Sequence, residues 1–469
     1  MIKFGTGGWR ALIGEEFTKS NVTLLSQGVA NLLKGRGREK GVVIGYDRRF
    51  LSDKAAVWMA EVFAGNGIKV NFINKNAPTP LVMFTVQRLG TEFGFAVTAS
   101  HNPADYNGIK VFTEGGRDAS EGVTARIEEE IGSITGEAVR RLDFETGLER
   151  GIIENINPFN EYIDSIIKVI DMEAIRKRNL KVLLDPMFGV SKTSLQTVLI
   201  SARCEIDTIN DRHDTLFGGR LPSPNNATLR RLSDMVVERK YDLGVGTDGD
   251  ADRLGIIDEK GGFIHPNSIL VLLYYYLLKY KGWKGGVVRN LATTHLLDRI
   301  AADFGEEAYE VPVGFKHISS KMEEKNALVG GESSGGLTIR GHIRGKDGIF
   351  AASLLIELIS VTEKSLSQLL EEIYRTYGSF FMVEEDLKFR EEKKEAIVRL
   401  LFQEKRLPEF GPPVKQVSYA DGCKVYFENG GWIVARFSGT EPLLRIFAEM
   451  DSEEEAASAS KKMKDFLSI

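Results

Sequence analysis

With 469 residues, 42% of them hydrophobic and 27% charged, the chain is long enough for several globular domains of roughly 100–150 residues each. Its 61 basic and 66 acidic residues give a formal net charge of −5, which excludes a global basic field for nucleic acid or an anionic membrane, so an anionic ligand must be held by a local cluster of Arg, Lys and backbone N–H groups. Only Cys204 and Cys423 occur, outside any Cys-x-x-Cys pair, which argues against a disulfide framework or thiolate zinc site and for a reducing, cytoplasmic compartment.

In chain order, the opening Met1-Ile-Lys-Phe-Gly predicts no signal peptide. Segments 41–46 (GVVIGY) and 68–73 read as buried strands, with an amphipathic helix over 53–64 between them. A third strand, 93–98 (FGFAVT), runs straight into a polar loop. The layout then recurs. Segments 180–185, 204–209 and 241–246 read as strands of a second unit, and 286–289, 309–311 and 328–330 as those of a third. The longest apolar run, 269–278, is too short to span a bilayer and reads as a buried helix. A helix over 366–377 is followed by β patterns near 425–427 and 432–436, and a helix over 453–467 closes the chain. Such alternation predicts βαβ units with largely parallel sheets. The expected fold class is α/β, three related α/β modules plus a smaller C-terminal α+β domain, divided at 1–155, 156–257, 258–372 and 373–469.

Four loops carry candidate chemistry. Thr98-Ala99-Ser100-His101-Asn102-Pro103 follows a strand and so falls at the carboxyl edge of a sheet, where ligands bind. It reads either as an exposed nucleophile or as a Ser/Asn-rich turn, and the absence of a Gly-x-Ser-x-Gly elbow argues against a serine hydrolase. Asp248-Gly249-Asp250-Ala251-Asp252-Arg253 also follows a strand, and three carboxylates at alternate positions can converge on one hard cation. An EF-hand is excluded because Arg253 replaces the Gly that such a loop requires, and a dinucleotide fingerprint because aspartates stand where pyrophosphate would bind. Gly330-Gly331-Glu332-Ser333-Ser334-Gly335-Gly336 offers Glu332 and Ser334 to paired sugar hydroxyls, or is simply a glycine-rich hairpin. Arg436-Phe437-Ser438-Gly439-Thr440-Glu441-Pro442, with Arg445 beyond, reads as a phosphate cradle or as a turn with incidental arginines. No Walker loop is present: in 341–346 (GHIRGK) the glycine spacing is wrong and Asp347 follows.

Together these loops, with Phe4-Gly-Thr-Gly-Gly-Trp-Arg10 near the start, resemble the α-D-phosphohexomutase superfamily, the phosphoglucomutase/phosphomannomutase group, over nearly the whole chain. The resemblance implies four domains around a central cleft. It implies Ser100 as phosphoserine, and Asp248, Asp250 and Asp252 as Mg²⁺ ligands joined by an oxygen of the Ser100 phosphate. It assigns sugar recognition to Glu332 and Ser334. Arg436, Ser438, Gly439 and Thr440, with Arg445, would grip the non-transferring phosphate. Arg10 and Arg253 would lie near the transferring one. Lys110, in Tyr106-Asn-Gly-Ile-Lys110, would move a proton with a lowered pKa, with His101 as second candidate. His342 and Lys346, in Gly341-His-Ile-Arg-Gly-Lys-Asp-Gly348, would contact substrate, and Lys316 and His317 would line the cleft. His213, His265 and His295 lie outside the motifs and read as structural or surface residues. The chain departs from common family forms at Gly336, where many bacterial members carry His, and at Phe437, where Pro is frequent.

The expected activity is exchange of a hexose 1-phosphate with its 6-phosphate, most simply of glucose, with Mg²⁺ as metal and glucose 1,6-bisphosphate as activator and intermediate. Phosphomannomutase, dual-specificity, phosphoglucosamine mutase and phosphopentomutase activities stand as alternatives. Partners are expected to be small sugar phosphates, neither nucleic acid nor membrane, with the oligomeric state open.

Overall fold

Apolar runs without alternation form the central strands, because a parallel strand covered by helices on both faces has no solvent side. In the computed structural model, which describes residues 2–5, 7–33, 40–134, 138–389, 391–437 and 443–468, four sheets are present. The first contains β1 (Trp9–Leu12), β2 (Val42–Tyr46), β3 (Val70–Asn76), β4 (Phe93–Val97), β5 (Tyr106–Thr113), β6 (Arg117–Asp118) and β7 (Ile153–Ile156). Its order is β1-β5-β4-β2-β3-β7, with β6 on β5. Every residue of β4 is buried. Helix Thr79–Leu89 lies close on this sheet because two strand glycines make room. A Cβ on Gly45 would stand 2.5 Å from the Val82 side chain, and one on Gly94 would stand 2.1 Å from that of Val86.

The second sheet holds β8 (Lys181–Asp185), β9 (Glu205–Thr208), β10 (Leu243–Thr247), β11 (Leu254–Ile257) and β12 (Phe263–Ile264), in the order β12-β11-β10-β8-β9. It runs on past residue 257, the boundary expected from sequence, because β12 pairs with β11. The third sheet includes β13 (Val287–Asn290), β14 (Ala308–Val311) and β15 (Val329–Gly331), in the parallel order β14-β13-β15. A further strand, β16 (Leu337–Ile339), leads to helix Gly348–Thr362, which is buried from Gly348 to Ser360. The fourth sheet is antiparallel, β17 (Phe381–Lys388), β18 (Val414–Ser418), β19 (Cys423–Phe427), β20 (Trp432–Phe437) and β21 (Leu443–Met450), in the order β17-β21-β20-β19-β18. Its core includes Val425, Ile433 and Ile446, with Met463 from the closing helix Glu453–Leu467.

The architecture is therefore three α/β modules and a C-terminal α+β domain. By compactness the chain forms two units, Met1–Tyr276 with Ser334–Ser367, and Leu277–Ser333 with Gln368–Ile469. Cys204 and Cys423 are buried free thiols. Among the described residues no helix is long and apolar enough to cross a membrane.

The expected parallel pairing fails at one edge of each of the first two sheets. There β5 returns antiparallel beside β4, and β11 beside β10. A parallel neighbour needs a crossover of a dozen or more residues, and the stretches from Val97 to Tyr106 and from Thr247 to Leu254 are too short for one. The Ser100 loop and the three-aspartate loop are thus equivalent hairpin connections at the carboxyl ends of two sheets.

Candidate active site

Ser100 is fully buried and takes a left-handed backbone, φ 52°, a conformation a non-glycine residue holds only when its surroundings impose it. Its N–H donates to Thr98 Oγ1 at 2.9 Å, and the Thr98 hydroxyl donates to Asp47 Oδ2 at 2.6 Å. Its own hydroxyl donates to Asp248 Oδ2 at 2.7 Å. The two hairpin loops meet at this oxygen.

Asp248, Asp250 and Asp252 are buried, and one carboxylate oxygen from each lies within 4.8 Å of the others. The turn is tight: Ala251 has φ 62°, and the Arg253 N–H donates back to Asp248 Oδ1 at 3.1 Å. Asp250 accepts the Thr79 hydroxyl at 2.5 Å from the first turn of helix Thr79–Leu89. Asp250 Oδ1 and Asp252 Oδ1 are buried without a hydrogen-bond partner among the described residues. Burial, then the neighbouring Asp250 and Asp252, push the Asp248 carboxyl well above its ordinary range. Burial opposes charge on Asp252 too, but Lys110, Lys346 and Arg253 outweigh it and hold that carboxyl well below. Hard oxygen donors crowded together and left with unsatisfied atoms fit a divalent cation such as Mg²⁺.

Four cations pair with the aspartate triad or with residues of the Ser100 loop. Lys110, on β5, reaches Asp250 and Asp252 at 2.6 Å each. Lys346 lies 3.2 Å from Asp252 Oδ2. It is delivered by a segment docked on the metal loop, where Gly336 bridges to Arg253 and the Gly348 N–H donates to the Ala251 carbonyl at 3.2 Å. Arg10 donates to Asn102 Oδ1 at 3.0 Å, and burial, then the nearby Arg253, lower its pKa. Arg253 Nη1 lies 3.0 Å from His101 Nδ1. A guanidinium only donates, so Nδ1 accepts and the neutral ring carries its proton on Nε2. The Arg253 charge and then burial hold this imidazole neutral, far below its ordinary pKa. Cations packed closely enough to depress one another favour an arriving dianion.

The lowered pKa expected for Lys110 is reversed. Burial alone would depress it, but Asp250 and Asp252 more than compensate, so the ammonium is held charged. His342 is likewise not brought to the Ser100 cluster by any contact described. Its ring lies 2.7 Å from Asp347 Oδ2, which also accepts the Tyr162 hydroxyl at 2.8 Å, and it packs on Phe350 at 4.3 Å between ring centroids.

The remaining candidates lie on other elements. Glu332 is buried directly after β15, and Ser334 follows in the same loop. Arg436 and Arg445 face each other in register on β20 and β21. Like charges in that position repel unless anions attend them; Asp421 Oδ1 accepts from Arg436 Nε at 2.8 Å, and Asp386 lies 3.2 Å from Arg445 Nε. Ser438, Gly439 and Thr440 lie outside the described residues. Sequence reasoning missed Asp47, Arg49 and Thr79. Asp47 and Arg49 follow β2 directly, at the carboxyl edge already used to select the Ser100 loop, so the signal was available.

Residues 1–137, 160–262, 265–377 and 387–465 match, in turn, the alpha/beta/alpha domains I, II and III and the C-terminal domain of phosphoglucomutase/phosphomannomutase. A phosphoglucomutase/phosphomannomutase of Thermococcus kodakarensis is 31% identical over 97% of this chain and 95% of its own length. A phosphoglucosamine/phosphogalactosamine mutase of Sulfurisphaera tokodaii is 29% identical over 98% of both. The solved structure of a proposed phosphomannomutase from Thermus thermophilus aligns with a TM-score of 0.86 at 29% identity, covering 100% of this chain and 99% of that one. Four matched domains in order, together with a buried serine on an acidic triad, place this chain in the phosphoglucomutase/phosphomannomutase family of phosphohexomutases, which are intramolecular phosphotransferases.

Proposed function

We propose that this enzyme interconverts α-D-glucose 1-phosphate and glucose 6-phosphate through phosphorylated Ser100 and glucose 1,6-bisphosphate. The observation that carries the reading is the Ser100 hydroxyl, buried on Asp248 of a triad that Lys110 and Lys346 pair with, in a loop whose Asn102 and His101 meet Arg10 and Arg253.

Phosphoryl transfer asks a protein mainly for positioning and charge neutralisation. Phospho-Ser100 gives its phosphoryl group to the free hydroxyl of a hexose 1-phosphate; the bisphosphate turns over and returns its other phosphoryl group to Ser100. Asp248, Asp250 and Asp252 would hold Mg²⁺, which when bound would supply Lewis-acid stabilisation of the charge on the transferring group. Lys110, kept as ammonium, and Lys346, Arg10 and Arg253 neutralise the transferring dianion. Neither proton-transfer candidate offers a free lone pair to the sugar hydroxyl proton: Lys110 is held as ammonium, and the one lone pair of neutral His101, on Nδ1, accepts from Arg253. Glu332 and Ser334 orient sugar hydroxyls, and Arg436 with Ser438, Gly439, Thr440 and Arg445 holds the idle phosphate. A reducing cytoplasm suits the two buried thiols.

Amino-sugar phosphates are the second reading, favoured by the likeness to the phosphoglucosamine/phosphogalactosamine mutase; mannose 1-phosphate is the third. The deciding experiment is a coupled assay with Mg²⁺ and catalytic bisphosphate. It compares kcat/KM for glucose, mannose and glucosamine 1-phosphates, the latter two with their matching bisphosphates. A clear preference for glucosamine 1-phosphate would overturn the glucose assignment, and comparable values for mannose and glucose would make the enzyme dual-specific.

A further inference from the structure

Arg49 lies outside the sequence motifs that carry the resemblance, yet its side chain is wholly buried beside the Ser100 loop. One edge of its guanidinium gathers four backbone carbonyls. Nη2 donates to the Ser100 carbonyl at 2.7 Å and to that of Asn102 at 2.6 Å. Nη1 donates to Pro103 at 2.7 Å and to Tyr106 at 3.1 Å. These carbonyls span the whole connection from Ser100 to the start of β5. Their negative ends are engaged on a fixed cation, not left to compete with a phosphate dianion for the other cations.

The fork is itself fixed from two directions. Asp47, which holds the Arg49 N–H at 2.9 Å and the Ser52 hydroxyl at 2.7 Å through Oδ1, lies 3.6 Å from Arg49 Nε through Oδ2. The same Oδ2 accepts Thr98, whose hydroxyl receives the Ser100 N–H. The face of the guanidinium packs on Phe217, 4.8 Å from the ring centroid. That ring belongs to the module of the metal loop and reaches the same place from the other side. A Cβ added to Gly249 would stand 3.6 Å from Phe217 and 2.8 Å from the Ser100 carbonyl oxygen. One side chain thus holds the carbonyl of the reacting serine with its edge and the module of the triad with its face.

We infer that Arg49, backed by Phe217, is a positioning residue that sets the register between the Ser100 loop and the three-aspartate loop. The inference rests on Ser100 being the phosphorylated residue. A planar fork with several donors is required, because four carbonyls at different heights cannot be served by the point charge of a lysine. Misplacement of a reacting atom by about 1 Å costs of order a hundredfold in rate, whereas the triad and the cations paired with it are left in place.

The test compares wild type with Arg49→Lys and Phe217→Leu, using intact-mass detection of the phosphoryl group on Ser100, steady-state kinetics, and Mg²⁺ titration of dephosphorylated protein by calorimetry. For Arg49→Lys, kcat is expected to fall by about a hundredfold while KM stays within about threefold. Mg²⁺ affinity should remain near wild type, while the melting temperature falls, because the carbonyls a lysine leaves unserved are buried. Phe217→Leu should change the same parameter, more mildly. General loosening of the fold would weaken metal and substrate binding together, and that pattern would overturn the assignment. So would an Arg49→Lys protein with kcat within twofold of wild type and Ser100 normally phosphorylated. If wild type itself never carries phosphate on Ser100, the underlying functional reading fails, and the mass measurement separates that case from the others.

Discussion

The Ser100 hydroxyl and the Asp248 carboxylate, delivered by loops of two separate sheets, meet in a hydrogen bond of 2.7 Å. Neither loop can form this contact alone, and neither residue has solvent to fall back on, since both are fully buried. The carboxyl raised by burial and by its two acidic neighbours is the one that accepts from the Ser100 hydroxyl. A divalent cation among the three carboxylates relieves the repulsion that raises it.

Ser100→Ala removes the hydroxyl proposed to carry the phosphoryl group. Turnover in the coupled assay should fall by about a thousandfold or more, and intact mass should show no phosphoryl adduct after incubation with glucose 1,6-bisphosphate. Near-normal turnover by a clean preparation would remove the phosphoserine from the mechanism.

Asp250→Asn keeps the shape of a side chain pinned by Thr79 and Lys110 while deleting one negative charge. Mg²⁺ affinity by calorimetry should drop by about tenfold or more, ~1.4 kcal/mol, with the folded far-UV spectrum unchanged. An unaltered titration would count against the triad as the metal site.

Arg436→Ala deletes a guanidinium paired with Asp421 and set opposite Arg445. Charge-assisted hydrogen bonds contribute about 1.5–3 kcal/mol, so KM for the sugar phosphate should rise by about tenfold or more, with a smaller change in kcat. An unchanged KM would take this arginine out of the phosphate loop.

His295 gives a prediction on acid stability. Burial, then the charge of Arg289, lower its pKa to about 3, and Lys424 lies 3.1 Å from Nε2. The unfolded imidazole protonates near its ordinary value of about 6.5. Its contribution is therefore complete above that value and is lost as pH falls towards the folded one, at up to ~1.4 kcal/mol per pH unit. Between about pH 7.5 and 5, His295→Gln should lose less melting temperature than wild type; parallel losses in the two proteins would refute the assignment.

Asp347 caps helix Gly348–Thr362 by accepting the N–H groups of Ile349 and Phe350, and also holds Tyr162 and His342. Asp347→Ala removes the cap and strands two buried polar groups, which should cost about 2–4 kcal/mol in denaturant unfolding. Full stability of that variant would mean that Tyr162 and His342 find other partners.

The sequence by itself determined the modular order, the strands leading into Ser100 and Asp248, and the residue types at the candidate site. Those follow from local rules: an apolar run ended by a polar loop places that loop at a sheet edge, and alternate aspartates converge within a short turn. The tertiary structure decided what those groups experience. Lys110 looked able to lose its proton until β5 set it against Asp250 and Asp252. His342, expected to contact substrate, is held by Asp347 and packed on Phe350. Asp47, Arg49 and Thr79 gained their roles only where separate elements brought them to the loops. Electrostatic environment and long-range hydrogen bonding depend on distances between residues far apart in the chain, and those distances exist only once the sheets have formed.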